Sequence, residues 1–168
     1  MNINQTLKQY FGYDSLRTGQ RELINGILAG QDVLGIMPTG AGKSLCYQLP
    51  ALMLKGITLV ISPLISLMSD QVKALNQAGV HAAYINSSLT ENQIRMALSY
   101  ASQGRYKIIY VAPERLNTQR FLDFACNADI SMLTVDEAHC ISQWGQDFRP
   151  SYLEIAGFLT RLPRRPIV

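Results

Sequence analysis

The sequence predicts an α/β fold in which helices cover both faces of a parallel sheet. Two observations predict it: short apolar runs typical of buried strands, and, between them, longer segments whose apolar residues recur at helical spacing. Strands that alternate with helices pair in parallel, because each connection crosses a face of the sheet. With 168 residues, of which 48% are hydrophobic, the chain can form one domain with a sizeable core.

The same patterns give the elements in chain order. Apolar runs predict strands at 32–36, 58–62, 81–85, 108–111 and 131–135. Helical spacing predicts helices before residue 30, after residue 44, over 64–75, over 94–101 and around 121–124. Pro50 is expected to bend or shorten the second of these helices. Thr90 and Gln93 have the spacing of a capping box at the start of the fourth.

A glycine-rich segment before the second helix has the pattern of a phosphate-binding loop. It reads Met37-Pro-Thr-Gly-Ala-Gly-Lys-Ser44, with Met37 where the strict pattern has a glycine. A strand that turns into a helix through glycines aims several backbone N–H groups at one point, beside the positive end of the helix dipole. The candidate contacts are Thr39, Gly40, Gly42, Lys43, which would reach the β- and γ-phosphates, and Ser44, which would hold Mg²⁺. The alternative is a tight glycine turn without a ligand.

An acidic segment, Asp136-Glu-Ala-His139, follows the last predicted strand, about 90 residues after the loop. The carboxyl ends of parallel strands share one edge of the sheet, so Asp136 and Lys43 could face the same nucleotide. Asp136 suits a role at Mg²⁺, Glu137 could polarise the attacking water, and His139 could relay the nucleotide state to a neighbouring site. Alone, such a tetrapeptide is usually a solvated strand end; together with the loop, it favours nucleotide hydrolysis.

Polar residues also follow the other predicted strands. Ser62 follows the second strand, Asn86 the third, and Glu114 and Arg115 the fourth. Hydroxyl and amide groups with an arginine suit contact with a sugar-phosphate backbone. The alternative is local: Ser62 belongs to a turn, and the serines after Asn86 cap the next helix.

The segment 141–152 concentrates aromatic residues directly after the acidic motif. Trp144 and Phe148 lie there, close to Gly145 and Pro150. Aromatic rings in a loop beside a catalytic centre can stack on unpaired bases. The alternative is that Trp144 and Phe148 pack the loop onto the core.

Composition excludes few classes of protein. The net charge is +3, and ten of the fifteen basic residues are arginine, which permits nucleic-acid binding without proving it. No stretch is long and apolar enough to span a membrane, and no signal pattern is present, so a cytosolic chain is expected. The three cysteines suggest neither a disulfide framework nor a zinc site, and are expected to be small buried residues.

In this order, the motifs resemble those of the N-terminal motor domain of RecQ-family DNA helicases, in superfamily 2. The resemblance extends over essentially the whole chain and includes the family's adenine-recognition element. That element is present as Leu7, Phe11-Gly-Tyr13, Leu16-Arg17 and Gln20. Leu16 stands where the family usually has phenylalanine, and Thr18 where it often has proline.

The resemblance implies a RecA-like lobe that binds ATP and Mg²⁺ as part of a 3′→5′ DNA helicase of recombination and repair. Tyr13 and Arg17 would sandwich the adenine, and Gln20 would hydrogen-bond its edge. Single-stranded and partly duplex DNA would be the partner of the strand-end segments and of the aromatic segment. The implied DNA contacts are Ser62, Asn86, Glu114, Arg115, Trp144, Phe148 and Arg149.

The resemblance divides the chain into a helical adenine-recognition segment, 1–30, and a RecA-like ATP-binding lobe, 31–168, expected to end before its last central strand. The family's second RecA-like lobe, zinc-binding domain and winged-helix domain lie outside these residues. The isolated chain is therefore expected to be marginally stable and to have little or no activity. Two alternatives stay open: a non-catalytic fragment that binds nucleotide or single-stranded DNA, and an unrelated P-loop enzyme such as a small-molecule kinase.

Overall fold

The computed structural model describes residues 2–38 and 40–168, which contain a four-stranded parallel sheet. Its strands are β1 (Ile57–Ile61), β2 (Ala82–Ile85), β3 (Ile108–Val111) and β4 (Ile130–Val135), arranged in the order β2-β3-β1-β4. All residues of β1 and β3 are buried, as expected for inner strands of a sheet covered on both faces. Because all pairs are parallel, the four carboxyl ends lie along one edge.

Helices cover both faces of this sheet. They are α1 (Ile3–Phe11), α2 (Gln20–Leu28), α3 (Lys43–Met53), α4 (Ile65–Gln77), α5 (Glu91–Ser102), α6 (Gln119–Asn127) and α7 (Glu154–Arg161). On one face, α3 and α4 bury Tyr47 and Met68 against the strands. On the other, α5, α6 and α7 form a core that includes Phe121 and Phe158. The first two helices pack outside α3, around Leu49.

The predicted α/β fold is confirmed, and several elements have nearly the predicted bounds. β3 covers the predicted residues, and the capping box of α5 is present. Thr90 Oγ1 accepts a hydrogen bond from the Gln93 N–H at 3.3 Å, and Gln93 Oε1 accepts one from the Thr90 N–H at 2.8 Å. The expected shortening at Pro50 does not occur, since α3 continues to Met53. Burial of this helix between the sheet and α1 and α2 outweighs the hydrogen bond that Pro50 cannot donate.

The strand predicted at 32–36 is not formed. Leu34 and Ile36 have 76% and 91% of their surface exposed. A strand needs a partner along its length, and within the described residues 32–36 make one backbone hydrogen bond, from the Val33 N–H to the Val168 carbonyl at 3.0 Å. Ile167 pairs in parallel with Met132 of β4. The last two residues therefore lie between β4 and the segment that precedes the loop.

Two further features differ from the sequence predictions. Helix α7 was not predicted, although Ile155 and Phe158 are buried at helical spacing along it. All three cysteines are free, but only Cys46 and Cys140 are buried, while Cys126 is exposed. Among the helices of the described residues, none combines the length and the apolar character needed to cross a membrane.

Candidate functional site

The glycine-rich loop ends in a backbone conformation that only glycine adopts easily. Gly40 and Gly42 have φ angles of 79° and 77°, and α3 begins directly after Gly42. A Cβ atom at Gly42 would lie 2.7 Å from Nε2 of the Gln20 side chain. The start of α3 thus has the close backbone turn that an anion site needs. Thr39, also predicted to contact nucleotide, lies outside the described residues.

Two residues of the adenine-recognition segment hold this loop by hydrogen bonds. Gln20 Nε2 donates to the carbonyls of Ala41 and Gly42, both at 3.2 Å. Gln20 Oε1 accepts from the Arg17 N–H at 2.8 Å, and Arg17 Nη1 donates to the Gly40 carbonyl at 2.7 Å. Both ends of the Gln20 amide therefore have protein partners, and contact with an adenine edge would require Gln20 to exchange or share them. Tyr13, the other predicted adenine contact, is exposed.

The acidic residues after β4 face the start of α3. Lys43 Nζ lies 4.0 Å from Glu137 Oε1. This pair joins two segments separated by about 90 residues, and it forms because α3 starts at the edge where β4 ends. Both side chains stay partly exposed, so a ligand can reach them. The predicted meeting of the loop lysine with the acidic motif is present in the structure.

Glu137 has a strained backbone. Its φ of 51° and ψ of 45° place it in the left-handed region, the only non-glycine residue there within the described part of the chain. Such a conformation costs about 1–3 kcal/mol and persists where surrounding contacts impose it. One contact is close by: the hydroxyl of the fully buried Tyr152 donates to the Asp136 carbonyl at 2.7 Å. Burial raises the pKa of Tyr152, which keeps this hydroxyl a donor.

Burial and the neighbouring Glu137 raise the pKa of Asp136, while the Glu137 N–H, Lys43 and His139 oppose this shift. The Glu137 N–H donates to Asp136 Oδ1 at 3.0 Å. A half-buried carboxylate with an acidic neighbour gains from a cation, so the electrostatics of this strand end favour a bound metal.

His139 stands between the acidic motif and the aromatic segment. Its Nδ1 is 3.3 Å from Glu137 Oε2, and its Nε2 is 3.7 Å from Asp147 Oδ2. Asp147 was not singled out from the sequence. A single imidazole therefore contacts the candidate hydrolytic carboxylate and the aromatic segment, which is the geometry that the predicted relay role needs.

The aromatic segment is exposed at its tip and anchored at its end. Trp144 has 97% of its surface exposed, so the alternative in which it packs onto the core is wrong. Phe148 is half-buried. The Arg149 N–H donates to the Cys140 carbonyl at 2.9 Å, and Arg149 Nη1 reaches the Pro63 carbonyl at 3.5 Å. The segment thereby contacts the turn after β1.

The structure corrects two of the predicted DNA contacts. The side chain of Ser62 is buried, and its Oγ accepts from the Leu64 N–H at 3.4 Å. Asn86 is fully buried and its Oδ1 accepts from the N–H and the hydroxyl of Ser88, at 2.9 and 2.6 Å. Both side chains brace turns, and neither is available to a polymer. For Ser62 this is the local alternative; the other part of that alternative is wrong, because Thr90, and not a serine after Asn86, caps α5.

The other strand-end candidates lie at the surface or near it. Glu114 is exposed. Arg115 is mostly buried, with its Nη1 3.8 Å from Glu91 Oε1, and its Nε has no hydrogen-bond partner among the described residues. Glu91 also accepts from Arg120 at 2.9 Å. Arg115 is thus held beside Glu91. To bind a phosphate, its guanidinium group would have to contact both Glu91 and the phosphate, or leave Glu91.

The donors at this edge fit ATP with Mg²⁺. The positive φ angles of Gly40 and Gly42 turn the backbone directly before α3, as a phosphate cradle requires. The hydroxyl of Ser44 and the carboxylate of Asp136 are hard oxygen ligands of the kind that Mg²⁺ prefers, and phosphate oxygens and water can complete its shell.

Sequence reasoning missed several residues around the site. Besides the exposed Asp147, they are Tyr152, whose hydroxyl supports the Asp136 carbonyl, and a pair of glutamines, the buried Gln48 and the half-buried Gln71. The signal was present for the glutamines, since both lie on helices next to buried apolar positions, where a polar side chain needs a partner.

The strand order, the loop before α3 and the acidic end of β4 are those of a RecA-like P-loop domain. Residues 17–168 match the family described as DEAD/DEAH box helicase, and the chain belongs to that family.

Curated relatives show which helicases within this family the chain is similar to. The ATP-dependent DNA helicase RecQ of Bacillus subtilis is 50% identical over 163 residues, which are 96% of this chain and 28% of the relative. RecQ of Haemophilus influenzae is 49% identical over 96% of this chain and 26% of its own length. The ATP-dependent DNA helicase Q5 of Rattus norvegicus is 44% identical, with 18% of its length covered. The chain spans about a quarter of the bacterial relatives.

Solved structures share the fold at low identity. A hypothetical ATP-dependent RNA helicase from Sulfolobus tokodaii matches with a TM-score of 0.74 and 20% identity, over 99% of this chain and 49% of that one. The helicase Lhr of Mycobacterium smegmatis, solved with single-stranded DNA and AMP-PNP, matches with a TM-score of 0.72 and 18% identity, over 96% of this chain and 24% of that one.

Asp136→Asn is expected to stabilise the ligand-free chain at neutral pH. The pKa of Asp136 is raised, so its ionised form is less favourable in the folded chain than in the unfolded chain. Removing that cost should raise the thermal midpoint, by about 2–4 °C for each 1 kcal/mol in a chain of this size. The gain should shrink as the pH falls through the folded-state pKa and vanish below about pH 3, where the carboxyl is protonated in both states.

Thermal unfolding of both proteins at pH 7 and at low pH measures this difference. Asp70→Asn, at an exposed position of α4, is the matched control and should leave the midpoint unchanged. A lower midpoint for Asp136→Asn at pH 7 would contradict the expectation.

Tyr152→Phe is expected to destabilise the chain by about 1 kcal/mol, because it removes a buried hydrogen bond and keeps the ring. The loss should be accompanied by faster amide exchange at residues 137–140, since the hydroxyl holds the turn that contains Glu137. Urea unfolding and hydrogen exchange measure the two effects. Tyr84→Phe, whose hydroxyl has no side-chain hydrogen bond in the described structure, is the control; equal losses in both variants would refute the role of the hydroxyl.

Proposed function

We propose that the chain is the ATP-binding half of a RecQ-type motor that unwinds DNA in the 3′→5′ direction during recombination and repair. The observation that carries the proposal is the approach of Lys43 to Glu137, at 4.0 Å. It assembles a phosphate-binding lysine and a candidate hydrolytic carboxylate at one edge of the sheet. The identity of about 50% to RecQ helicases supports DNA, and not RNA, as the polymer.

The residues take the following roles in this proposal. Lys43 and the N–H groups of the loop bind the β- and γ-phosphates, and Ser44 and Asp136 hold Mg²⁺. Glu137 orients the attacking water, and His139 senses the outcome through its contact with Glu137. Bound Mg²⁺ neutralises charge that develops on the phosphates. Tyr13, Arg17 and Gln20 bind the adenine.

DNA would follow the edge of the sheet beside the nucleotide. Trp144 stacks on a base, Phe148 supports the segment, and Arg149 contacts a phosphate while it remains close to the Pro63 carbonyl. Arg115 and Glu114 extend this track. The buried Ser62 and Asn86 take no part in it and brace the turns instead.

Hydrolysis and unwinding are proposed for this chain acting together with a second RecA-like lobe. An arginine supplied by a second RecA-like lobe can be worth about 10³–10⁵ in rate. A second candidate function for this chain alone is therefore non-catalytic binding of nucleotide or single-stranded DNA. The exposed tip of the aromatic segment favours it, because Trp144 is accessible without any partner. ATP hydrolysis stimulated by single-stranded DNA would favour the motor over this alternative.

Lys43→Ala is expected to weaken Mg-ATP binding by about 10- to 100-fold, the loss of one charge-assisted hydrogen bond. Isothermal calorimetry of the chain with a non-hydrolysable ATP analogue and Mg²⁺ measures it. Lys55→Ala removes an exposed lysine near the other end of the same helix and should bind like the unsubstituted chain. Equal affinities for the two variants would overturn the nucleotide site.

Trp144→Ala is expected to weaken binding of a single-stranded oligonucleotide by about 5- to 100-fold, the value of one stacked base. Because Trp144 is almost fully exposed, the stability of the chain should change by less than about 0.5 kcal/mol. Fluorescence anisotropy of a labelled oligonucleotide measures the affinity. Ile141→Ala, at an exposed apolar position of the same segment, is the control. Similar losses in both variants would argue against stacking.

A further inference from the structure

A buried polar network connects α3 to α4 beneath the candidate site. Gln48, on α3, donates through Nε2 to Gln71 Oε1 at 2.8 Å and to the Tyr110 hydroxyl at 2.9 Å. The Tyr110 hydroxyl also lies 3.3 Å from that of Tyr47. Gln48, Tyr47 and Tyr110 are buried, and Gln71 is half-buried. The network crosses from one helix to the other over the face of β3.

The surroundings of this network are apolar. Met68, Val72 and Ala51 belong to the same cluster of buried side chains. A buried amide that loses its hydrogen-bond partners keeps the full free-energy cost of desolvation. The hydrogen bonds of Gln48 to Gln71 and to Tyr110 are therefore expected to form together or to be replaced together. Between α3 and α4, the Gln48–Gln71 bond is the one side-chain hydrogen bond in the described structure. It is therefore the direct polar link between the two helices within the described residues.

The two ends of the network lie near different parts of the site. Gln48 is five residues from Lys43 on the helix that begins at the phosphate loop. Gln71 is on the helix that follows the turn at Pro63, whose carbonyl Arg149 approaches. The start of α4 also carries two exposed apolar residues, Ile65 and Leu67, on the edge proposed for DNA. A displacement of α3 would pass to that edge through Gln48.

We propose that Gln48 is a positioning residue that couples nucleotide binding at the phosphate loop to DNA binding at the start of α4. The inference rests on the proposed function, because it presumes that both ligands bind. Phosphates that bind the loop and Lys43 displace α3 as one rigid body. The bonds of Gln48 to Gln71 and Tyr110 transmit this displacement to α4. Gln48 touches neither ligand and acts through the position of the helix.

The test compares the affinity of the chain for a labelled single-stranded oligonucleotide with and without a saturating Mg²⁺-bound, non-hydrolysable ATP analogue. The ratio of the two affinities is the coupling factor, expected to be about 5-fold or more in the unsubstituted chain. Gln48→Met keeps the volume of the side chain and removes its donor. The coupling factor should fall towards one, while each ligand measured alone binds within about twofold of the unsubstituted chain.

Matched variants make the result specific. Gln71→Met removes the acceptor at a half-buried position and should lower the coupling factor equally, also if Gln48→Met does not fold. The double variant should show no further loss, because both changes break the Gln48–Gln71 bond, the one that reaches α4. Gln77→Met, exposed on the same helix, should keep the full coupling factor. Amide exchange at residues 65–68 should respond to the analogue in the unsubstituted chain and not in Gln48→Met.

Several outcomes would overturn the inference. One is a coupling factor that Gln48→Met or Gln71→Met leaves intact. Another is a loss of coupling that comes with an equal loss of nucleotide affinity alone, which would indicate damage to α3. A coupling factor of one in the unsubstituted chain, with both ligands bound, overturns the inference and leaves the proposed function standing. If the unsubstituted chain binds neither ligand, the proposed function fails and the inference with it.

Discussion

The parallel pairing of β1 with β4 is the contact on which the candidate site depends. Ile61 pairs with Val135, and the Asp136 N–H donates to the Ile61 carbonyl at 2.8 Å, so the pairing continues to the edge of the sheet. That register places Asp136 beside the turn at Ser62 and opposite the start of α3. A shift of one residue would exchange the two faces of β4 and turn its buried side chains outwards. The hydrophobic core thereby fixes the position of the charged groups.

The site contains features that lower the stability of the folded chain, and the packing of the surrounding core offsets them. The ionised Asp136 is unfavourable where it is partly buried, and Glu137 adopts a left-handed backbone. Tyr152 connects the stabilising core to the unfavourable site, because its ring is part of the core and its hydroxyl holds the Asp136 carbonyl. Strain and electrostatic repulsion of this kind are common where a ligand relieves them. A cation between Asp136 and the phosphates would relieve the repulsion here.

The sequence was sufficient for the elements whose pattern is local. β3 is a short apolar run between Lys107 and the Ala112-Pro113 pair, and the capping box at Thr90 needs only four residues, so both were predicted correctly. The segment 32–36 has the same apolar pattern but failed, because a strand also needs a backbone hydrogen-bond partner along its length, and in the described structure only Val168 supplies one. Local patterns carry no information about whether such a neighbour is present.

The same limit of local sequence patterns applies to the residues of the candidate site. Lys43 and the acidic motif were predicted to meet from their order on a parallel sheet, and they do. Ser62 and Asn86 were predicted to face a polymer because they follow strands, but the turns there need internal acceptors, and both side chains point inwards. Their direction depends on the path of the following loop, which strand ends alone do not determine.

Helix α3 is held from two sides, and this arrangement bears on how the chain could work. At its start, Gln20 and Arg17 bind the carbonyls of the loop, and further along, Gln48 binds Gln71 and Tyr110. The first set lies at the surface or is part-buried and the second is largely buried, and both consist of directional hydrogen bonds with specific partners. A helix tied in this way moves as one body. A change at the phosphate loop would then reach the adenine-recognition segment and α4 together, so one binding event could set the conformation of both edges of the site.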